Sequence, residues 1–210
     1  ELHYQLEFGT VAIAVGVNPW FTALDPHKGG MASVDEACRN IASVGGRPHS
    51  LTDCLNFGNP EKPERLWEFR EAVRGMGEVC RAMDLPVPSG NVSFYNETPF
   101  GSVPPTPTVM GVGMVEDVDR CVTADLKAEG DPIYLIGETA REMGGSALFR
   151  MMGGKGGEVP LVDPGSLRES IDQLLGAMAA GSVKACHDCS DGGLAVALAE
   201  MCIPGDLGIS

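Results

Sequence analysis

Between Pro63 and Asp84 the apolar residues Leu66, Phe69, Val73, Met76, Cys80 and Met83 recur at alternating intervals of three and four. That spacing places them on one face of a helix and leaves the other face polar. Such a helix is stable only when its stripe lies against other apolar surface, so the stripe is read as core and not as a cofactor-binding face. Pro63 suits a first helical turn, while Gly75 and Gly77 weaken the helix locally and permit close packing. A second helical pattern, Val34, Ala37, Cys38, Ile41 and Val44, fills residues 31–44 and stops at Gly45-Gly46. The β-branched run at 9–17 reads as a strand, as do 47–53, 85–89 and, behind Pro104-Pro105-Thr106-Pro107, 108–115. The loop between the first strand and the first helix carries Trp20, Phe21, Asp25, His27 and Lys28.

The polar stretch 116–131 is read as a boundary. Beyond it, 132–137 is a short buried strand and 167–180 a helix. Ser190 or Asp191 would cap a nearly all-apolar helix over 194–202, and Gly192-Gly193 would leave its N-terminus open to an anion. The cluster Gly153-Gly154-Lys155-Gly156-Gly157 lacks the Gly-Lys-Ser/Thr of a Walker loop and reads as a mobile loop rather than a phosphate cradle. No internal repeat is apparent.

A length of 210 residues with 43% hydrophobic content accommodates one large domain or two small ones. The net charge of −14 argues against a nucleic-acid or anionic-membrane partner. No apolar run reaches the length of a membrane span, and a cytoplasmic location is expected. The 7 cysteines show no framework spacing, consistent with a reducing compartment. Cys186-His187-Asp188-Cys189 fits C-x-x-C, but a structural zinc site usually needs a second such pair. Small buried thiols and a redox pair remain the two readings.

The chemistry concentrates in two polar clusters, Thr52-Asp53-Cys54-Leu55-Asn56-Phe57-Gly58-Asn59-Pro60 and Ser89-Gly90-Asn91-Val92-Ser93-Phe94-Tyr95-Asn96-Glu97. Each follows a short apolar run, where a strand would end and ligands collect. Carboxylates and carboxamides suit Mg²⁺, which takes a few oxygen ligands and shares its shell with phosphates. Gly58 and Gly90 would let backbone N–H groups approach phosphate oxygens. Two Asx-rich turns are the plainer alternative. Glu36 and Asn40 stand four apart on one helical face, where both can reach one ion. Gly29-Gly30, read as opening a helix beside Lys28, would present N–H groups to an anion.

Together, DPHKGG at 25–30, EACRN at 36–40, TDCLNFGNPE, SGNVSFYNET, PPTPTVMGVGMVED and HDCSDGGLAVALAE resemble the formylglycinamidine ribonucleotide synthase family, in that family's order and over nearly the whole chain. A broader likeness extends to the aminoimidazole ribonucleotide synthase superfamily. The resemblance implies an α+β fold, with a strand-pairing, barrel-forming N-terminal domain at 1–117, a linker at 118–130 and a C-terminal α/β domain at 131–210. The implied reaction is ATP-dependent conversion of formylglycinamide ribonucleotide to the amidine, with ATP and Mg²⁺ required. Implied partners are a glutaminase subunit that supplies ammonia and a small bridging subunit. By motif, Asp53, Gly90 and Ser190 resemble nucleotide contacts, Asn91, Glu36, Asn40 and Asp188 magnesium ligands, and Ser93, Lys28 and Gly29 substrate contacts.

One departure is large. The family's polypeptide has two homologous halves, and this sequence resembles only the second. His3, His27, His49 and His187 do not match the first-half histidine motifs that supply the proposed general base, so no catalytic residue is assigned. No glutaminase signature is visible, and the sequence stops partway through its second domain. The expectation is therefore a fragment unable to turn over alone, paired with the missing first half or with its own copy. A non-catalytic half holding nucleotide and Mg²⁺, or another superfamily enzyme such as aminoimidazole ribonucleotide or selenophosphate synthase, are the alternatives. The latter's reactive N-terminal Cys is absent from the first thirty residues.

Overall fold

The computed structural model of the chain describes residues 10–154 and 156–209. His3, Gly9 and Lys155 lie outside them. Strand β1 (Thr10–Gly16) leads into a short helix α1 (Pro19–Leu24) and a long one, α2 (Pro26–Ser43). Strand β2 (Arg47–Asn56), helix α3 (Pro63–Ala82) and strand β3 (Ser89–Ser93) follow. A small hairpin, β4 (Glu97–Thr98) with β5 (Gly101–Ser102), precedes strand β6 (Thr106–Val115). The main sheet is four-stranded in the order β1-β6-β2-β3. β6 is antiparallel to both neighbours, whereas β2 and β3 run parallel, joined by α3. Among the described residues this sheet is open, with β1 and β3 at its edges.

Both long helices cover one face of the sheet. Met31, Val34, Ala37, Cys38 and Ala42 of α2 join Ala72, Met76, Val79 and Cys80 of α3 and Leu51, Leu55 and Val109 of the sheet in one core. The buried face of α3 is rotated from the expected stripe. Ala72, Gly75 and Val79 lie inside with Met76 and Cys80, while Leu66 (48% exposed) and Val73 (40%) sit at its margins. Phe57 is fully buried and meets Phe69 edge-on at 5.4 Å, which in turn meets Phe94 at 5.0 Å.

Glycines let α2 and α3 touch backbone to backbone. A Cβ on Gly30 would strike the Ala72 carbonyl, and one on Gly75 the His27 carbonyl oxygen. Gly29-Gly30 therefore does not open a helix. α2 begins at Pro26, where the Asp25 carboxylate caps it by accepting the Lys28 N–H at 3.0 Å. The loop reading of 18–24 also gives way, because Asn18 caps α1 through the Phe21 N–H. The strand expected at 85–89 falls later, at β3, so the polar cluster is itself the strand.

After a 3-10 turn (Val118–Arg120) the chain forms helices α4 (Ala147–Met151), α5 (Pro164–Ala179) and α6 (Gly193–Gly205). α5 packs Leu167 and Ile171 into the core, and Arg168 pairs with Asp84 at 2.6 Å. The buried strand expected at 132–137 is absent. Those residues are unpaired and Tyr134 is 82% exposed, because a strand needs a neighbour and the described residues after 116 supply only an isolated Thr123–Ala185 bridge. Nor do Ser190 or Asp191 cap α6. Its N-cap is Gly192 at φ 87°, with no side-chain cap.

Gly75→Ala would gain about 1 kcal/mol of helix propensity but would drive a methyl into the His27 carbonyl. The expected net effect is a loss of about 1–3 kcal/mol, read as a lower denaturation midpoint with an unchanged m-value.

Candidate functional site

The first group lies at the β2–β3 edge. Parallel pairing sets Asp53 beside Gly90, Cys54 beside Asn91 and Asn56 beside Ser93. The period of two turns Asp53 and Gly90 toward the face covered by helices, with Leu51 and Leu55, and turns Cys54, Asn91 and Ser93 toward the open face. A Cβ on Gly90 would lie 2.5 Å from Asp53 Oδ1, so glycine is required for the carboxylate to cross the edge strand. Burial raises the Asp53 carboxyl above its ordinary value, and the Asn91 backbone N–H pulls it back. On the open face, Asn91 Nδ2 and Asn56 Nδ2 approach Cys54 Sγ at 3.8 and 3.6 Å.

Asn96 and Glu97, grouped in the sequence with these residues, serve as scaffold. Asn96 Nδ2 donates to the Phe57 and Ser93 carbonyls, both at 2.9 Å. The Glu97 carboxylate accepts the Asn59 N–H at 2.8 Å, the Ser102 hydroxyl at 2.8 Å and the Lys62 ammonium at 3.1 Å. These donors, the Asn59 N–H first, lower its pKa to about 2.

The second group surrounds α2 near the end of β1. Glu36 Oε2 accepts the Val17 N–H at 2.9 Å, and Asn40 Nδ2 donates to the Val15 carbonyl at 3.2 Å. The 187–191 turn comes in against the same face of α2. Asp188 stands 3.5 Å from Arg39 Nη1, and His187 lies between Asp188 (3.3 Å) and Glu200 (3.4 Å). Desolvation raises the Glu36 carboxyl, and the charges of Asp188 and Asp191 push the same way. Ser190 sits in this turn, exposed.

The residues expected to hold magnesium do not meet. β1 and β3 are opposite edges of the sheet, three strand spacings or roughly 14 Å apart. Asn91 thus cannot share an ion with Glu36, Asn40 and Asp188 within one copy of the chain. Lys28 and Gly29 are engaged elsewhere: Lys28 Nζ donates to Glu158 and to the Val159 carbonyl at 3.2 and 3.0 Å, and Gly29 is packed on Thr22.

The second group fits a hard divalent cation by its donors. Asp188 Oδ2 is buried without a hydrogen-bond partner, and the carboxylates of Asp35, Glu36 and Asp188 share the single guanidinium of Arg39, with Asp191 adding its charge beside Glu36. Among the described residues no three His, Cys, Asp or Glu side chains converge on one point. An ion there would need carboxamide, phosphate or water oxygens as well, the mixed shell that Mg²⁺ accepts. In the C-x-x-C pair desolvation pushes the Cys186 thiol up to about 11 and raises that of Cys189, which disfavours the thiolate that a metal ligand or redox pair needs, and all 7 cysteines are free. Sequence reasoning did not single out Arg39 or the scaffold role of Glu97. Only the i,i+4 spacing of Asp35 and Arg39 hinted at the former.

An open mixed sheet backed by two helices, with polar groups along its edges and a second segment docked on the helical side, defines a two-part α+β protein. Residues 6–115 match the AIR synthase related protein N-terminal domain, and residues 128–210 match the C-terminal domain of the same family. The chain belongs to that family. It is 45% identical over 215 residues to the phosphoribosylformylglycinamidine synthase subunit PurL of Methanothrix thermoacetophila, covering 98% of this chain and 28% of the relative. It is 50% identical over 194 residues to the PurL of Anaeromyxobacter dehalogenans, covering 92% and 26%. The chain thus spans little more than a quarter of the length of these curated relatives. Among solved structures, T. maritima PurL complexed with FGAR shares the fold, with a TM-score of 0.78 over 94% of this chain and 32% of that one, at 21% identity. T. maritima PurL complexed with ATP matches 55% of this chain and 19% of its own, with a TM-score of 0.51 and 26% identity.

The lowered Glu97 pKa has a definite sign. Its fastening of the hairpin is complete above the ordinary value of 4.5 and is lost as the pH falls through about 2. A carboxyl-carbon NMR titration should place the Glu97 midpoint near 2, and Glu97→Gln should loosen residues 97–102 at all pH values.

Proposed function

We propose that this chain is the second half of a phosphoribosylformylglycinamidine synthase and supplies part of its ATP-dependent ligase site. The observation that carries this reading is the β2–β3 edge, where a glycine required by its neighbour's carboxylate stands between Asp53 and Asn91. The PurL relatives support it, as does the T. maritima PurL complexed with ATP. In this reading residues 1–117 form the strand-pairing domain, 118–130 the linker and 131–210 the second domain.

In the proposed reaction the γ-phosphoryl group of ATP moves to the amide oxygen of formylglycinamide ribonucleotide. Ammonia, released from glutamine by a partner subunit, then attacks the amide carbon. The C–O bond breaks with departure of phosphate, and loss of a proton from nitrogen leaves the amidine. The Gly90 backbone would orient the nucleotide, Asp53 would brace that backbone from the helix-covered face through the Asn91 N–H, and Ser93 would orient the ribonucleotide. Bound Mg²⁺, held through Asn91, would neutralise charge on the transferring group. Such a site works by positioning. Glu36, Asn40 and Asp188, with Ser190 beside them, would hold a second ion and nucleotide. The separation of the two groups favours assigning one to turnover and the other to a structural nucleotide. The observed contacts of Lys28 support docking of the second segment, and those of Gly29 packing on α1, rather than substrate binding.

The open face of the sheet is apolar at one side and polar at the other. Val11, Ile13, Val15 and Met110 are 37–65% exposed across β1 and β6, while Cys54, Asn91 and Ser93 occupy the β2–β3 side. We read the apolar side as the seat of the missing first half, or of a second copy when the chain is alone. A glutaminase subunit and a small bridging subunit would complete the assembly.

Calorimetric titration with ATP, with and without Mg²⁺, tests the site. Magnesium-dependent binding weakened at least about tenfold in Asn91→Ala is expected; wild-type binding unaffected by the substitution would reject the assignment. Sedimentation at high micromolar concentration tests the face. Self-association abolished by Ile13→Asp is expected, and a wild-type monomer would refute pairing with its own copy.

A further inference from the structure

We propose that Arg39 is a positioning residue: it fastens the 186–193 turn to α2 and sets the Asp188 carboxylate in place opposite Glu36. Its guanidinium is the only side chain of α2 that hydrogen-bonds to this turn among the described residues, across 150 positions of sequence. The division of its donors is specific. Nε donates to Asp35 Oδ2 at 2.8 Å, which fixes the plane of the guanidinium from one helical turn away. Nη1 donates to the backbone carbonyl of Cys189 at 2.9 Å. Toward Asp188 Oδ2 the same nitrogen stands at 3.5 Å, close enough for charge attraction and too long for a good hydrogen bond.

Arg39 therefore holds the turn by its backbone and leaves the neighbouring carboxylate oxygen uncommitted. The Asp188 side chain is only 8% exposed, and Oδ2 has no hydrogen-bond partner. An uncommitted, buried carboxylate oxygen is costly, and it persists here because Arg39 offsets its charge from a distance. His187 steadies the other side of the turn, with Nδ1 2.7 Å from the Asp188 carbonyl and Nε2 3.4 Å from Glu200. A lysine could supply the charge but not both directed bonds, since only a guanidinium offers a rigid fork of donors.

The inference deepens the reading of Asp188 as a magnesium ligand and rests on it for its functional half, so its test has two arms. The first needs neither nucleotide nor metal: hydrogen exchange of peptides spanning 186–193 in wild type, Arg39→Met and Arg39→Lys. Exchange in the turn is expected to quicken at least about tenfold in Arg39→Met and to be partly restored in Arg39→Lys, while β2 stays protected. If Arg39→Met fails to fold, the Asp35→Asn/Arg39→Met double variant removes both charges and gives the same readout. Unchanged protection of the turn in a folded variant would overturn the proposal. The second arm follows the magnesium dependence of ATP binding by calorimetry. Arg39→Met is expected to weaken it about tenfold, the scale of groups that orient a ligand without touching the ion, with Arg39→Lys between. A magnesium dependence unaltered by Arg39→Met would overturn the positioning role. Asp188→Asn separates the underlying reading: if it leaves magnesium dependence intact, Asp188 is not a ligand, whatever Arg39 does to the turn.

Discussion

The direct approach of α2 to α3 sets the position of nearly everything else. Where Gly30 lies under Ala72 and Gly75 under His27, no side chain intervenes, so neither helix can slide without a backbone collision. α2 buries 11 of its residues between α3, the sheet and α5. Toward its C-terminal half the residues left at its surface form a short polar face of Asp35, Glu36, Arg39 and Asn40. Those four are held with the rigidity of the core beneath them, and two of them are tied directly to the end of β1.

The electrostatics of that face follow from its burial. An acidic chain with a charge of −14 scatters most of its carboxylates in water, where they cost little. Around Arg39 they are drawn in, and desolvation raises Asp35 and Glu36. The one guanidinium cannot balance them all. The sheet divides its labour differently, by side: its helix-covered face is core, and its open face changes from apolar on β1–β6 to polar on β2–β3. A surface of that kind both invites a partner sheet and leaves a wet margin beside it.

Much of the fold was legible in the order of residues. α3, expected over 63–84, is Pro63–Ala82, and the glycine pair that stops α2 was read correctly. Asn18 and Pro19 form the cap and first turn of α1, but the stretch reads as a loop because 6 residues are too few to show periodicity. The errors share a cause. Gly29-Gly30 reads equally as a helix start or as a close contact, and Ala72 lies forty residues away. Residues 132–137 have strand composition, but pairing depends on a neighbour. Asp191 is a good capping residue whose place was taken by a glycine in the left-handed region. In the candidate site, motif resemblance brought Asp53, Gly90 and Asn91 to notice, whereas the bond from Arg39 to the 189 carbonyl left no local trace.

By itself the sequence determined the periodic elements, the polar clusters and the family they resemble. These are properties of residues within a turn or a strand of one another. Only the tertiary structure decided that Asn91 and Glu36 stand at opposite edges, that Asp53 and Asn91 look out from opposite faces, and that Asp188 returns to Arg39. Each of those depends on strand order or on a contact between distant segments. Side-chain alternation can be counted along a chain, but the order of strands in a sheet is set by which faces find cover.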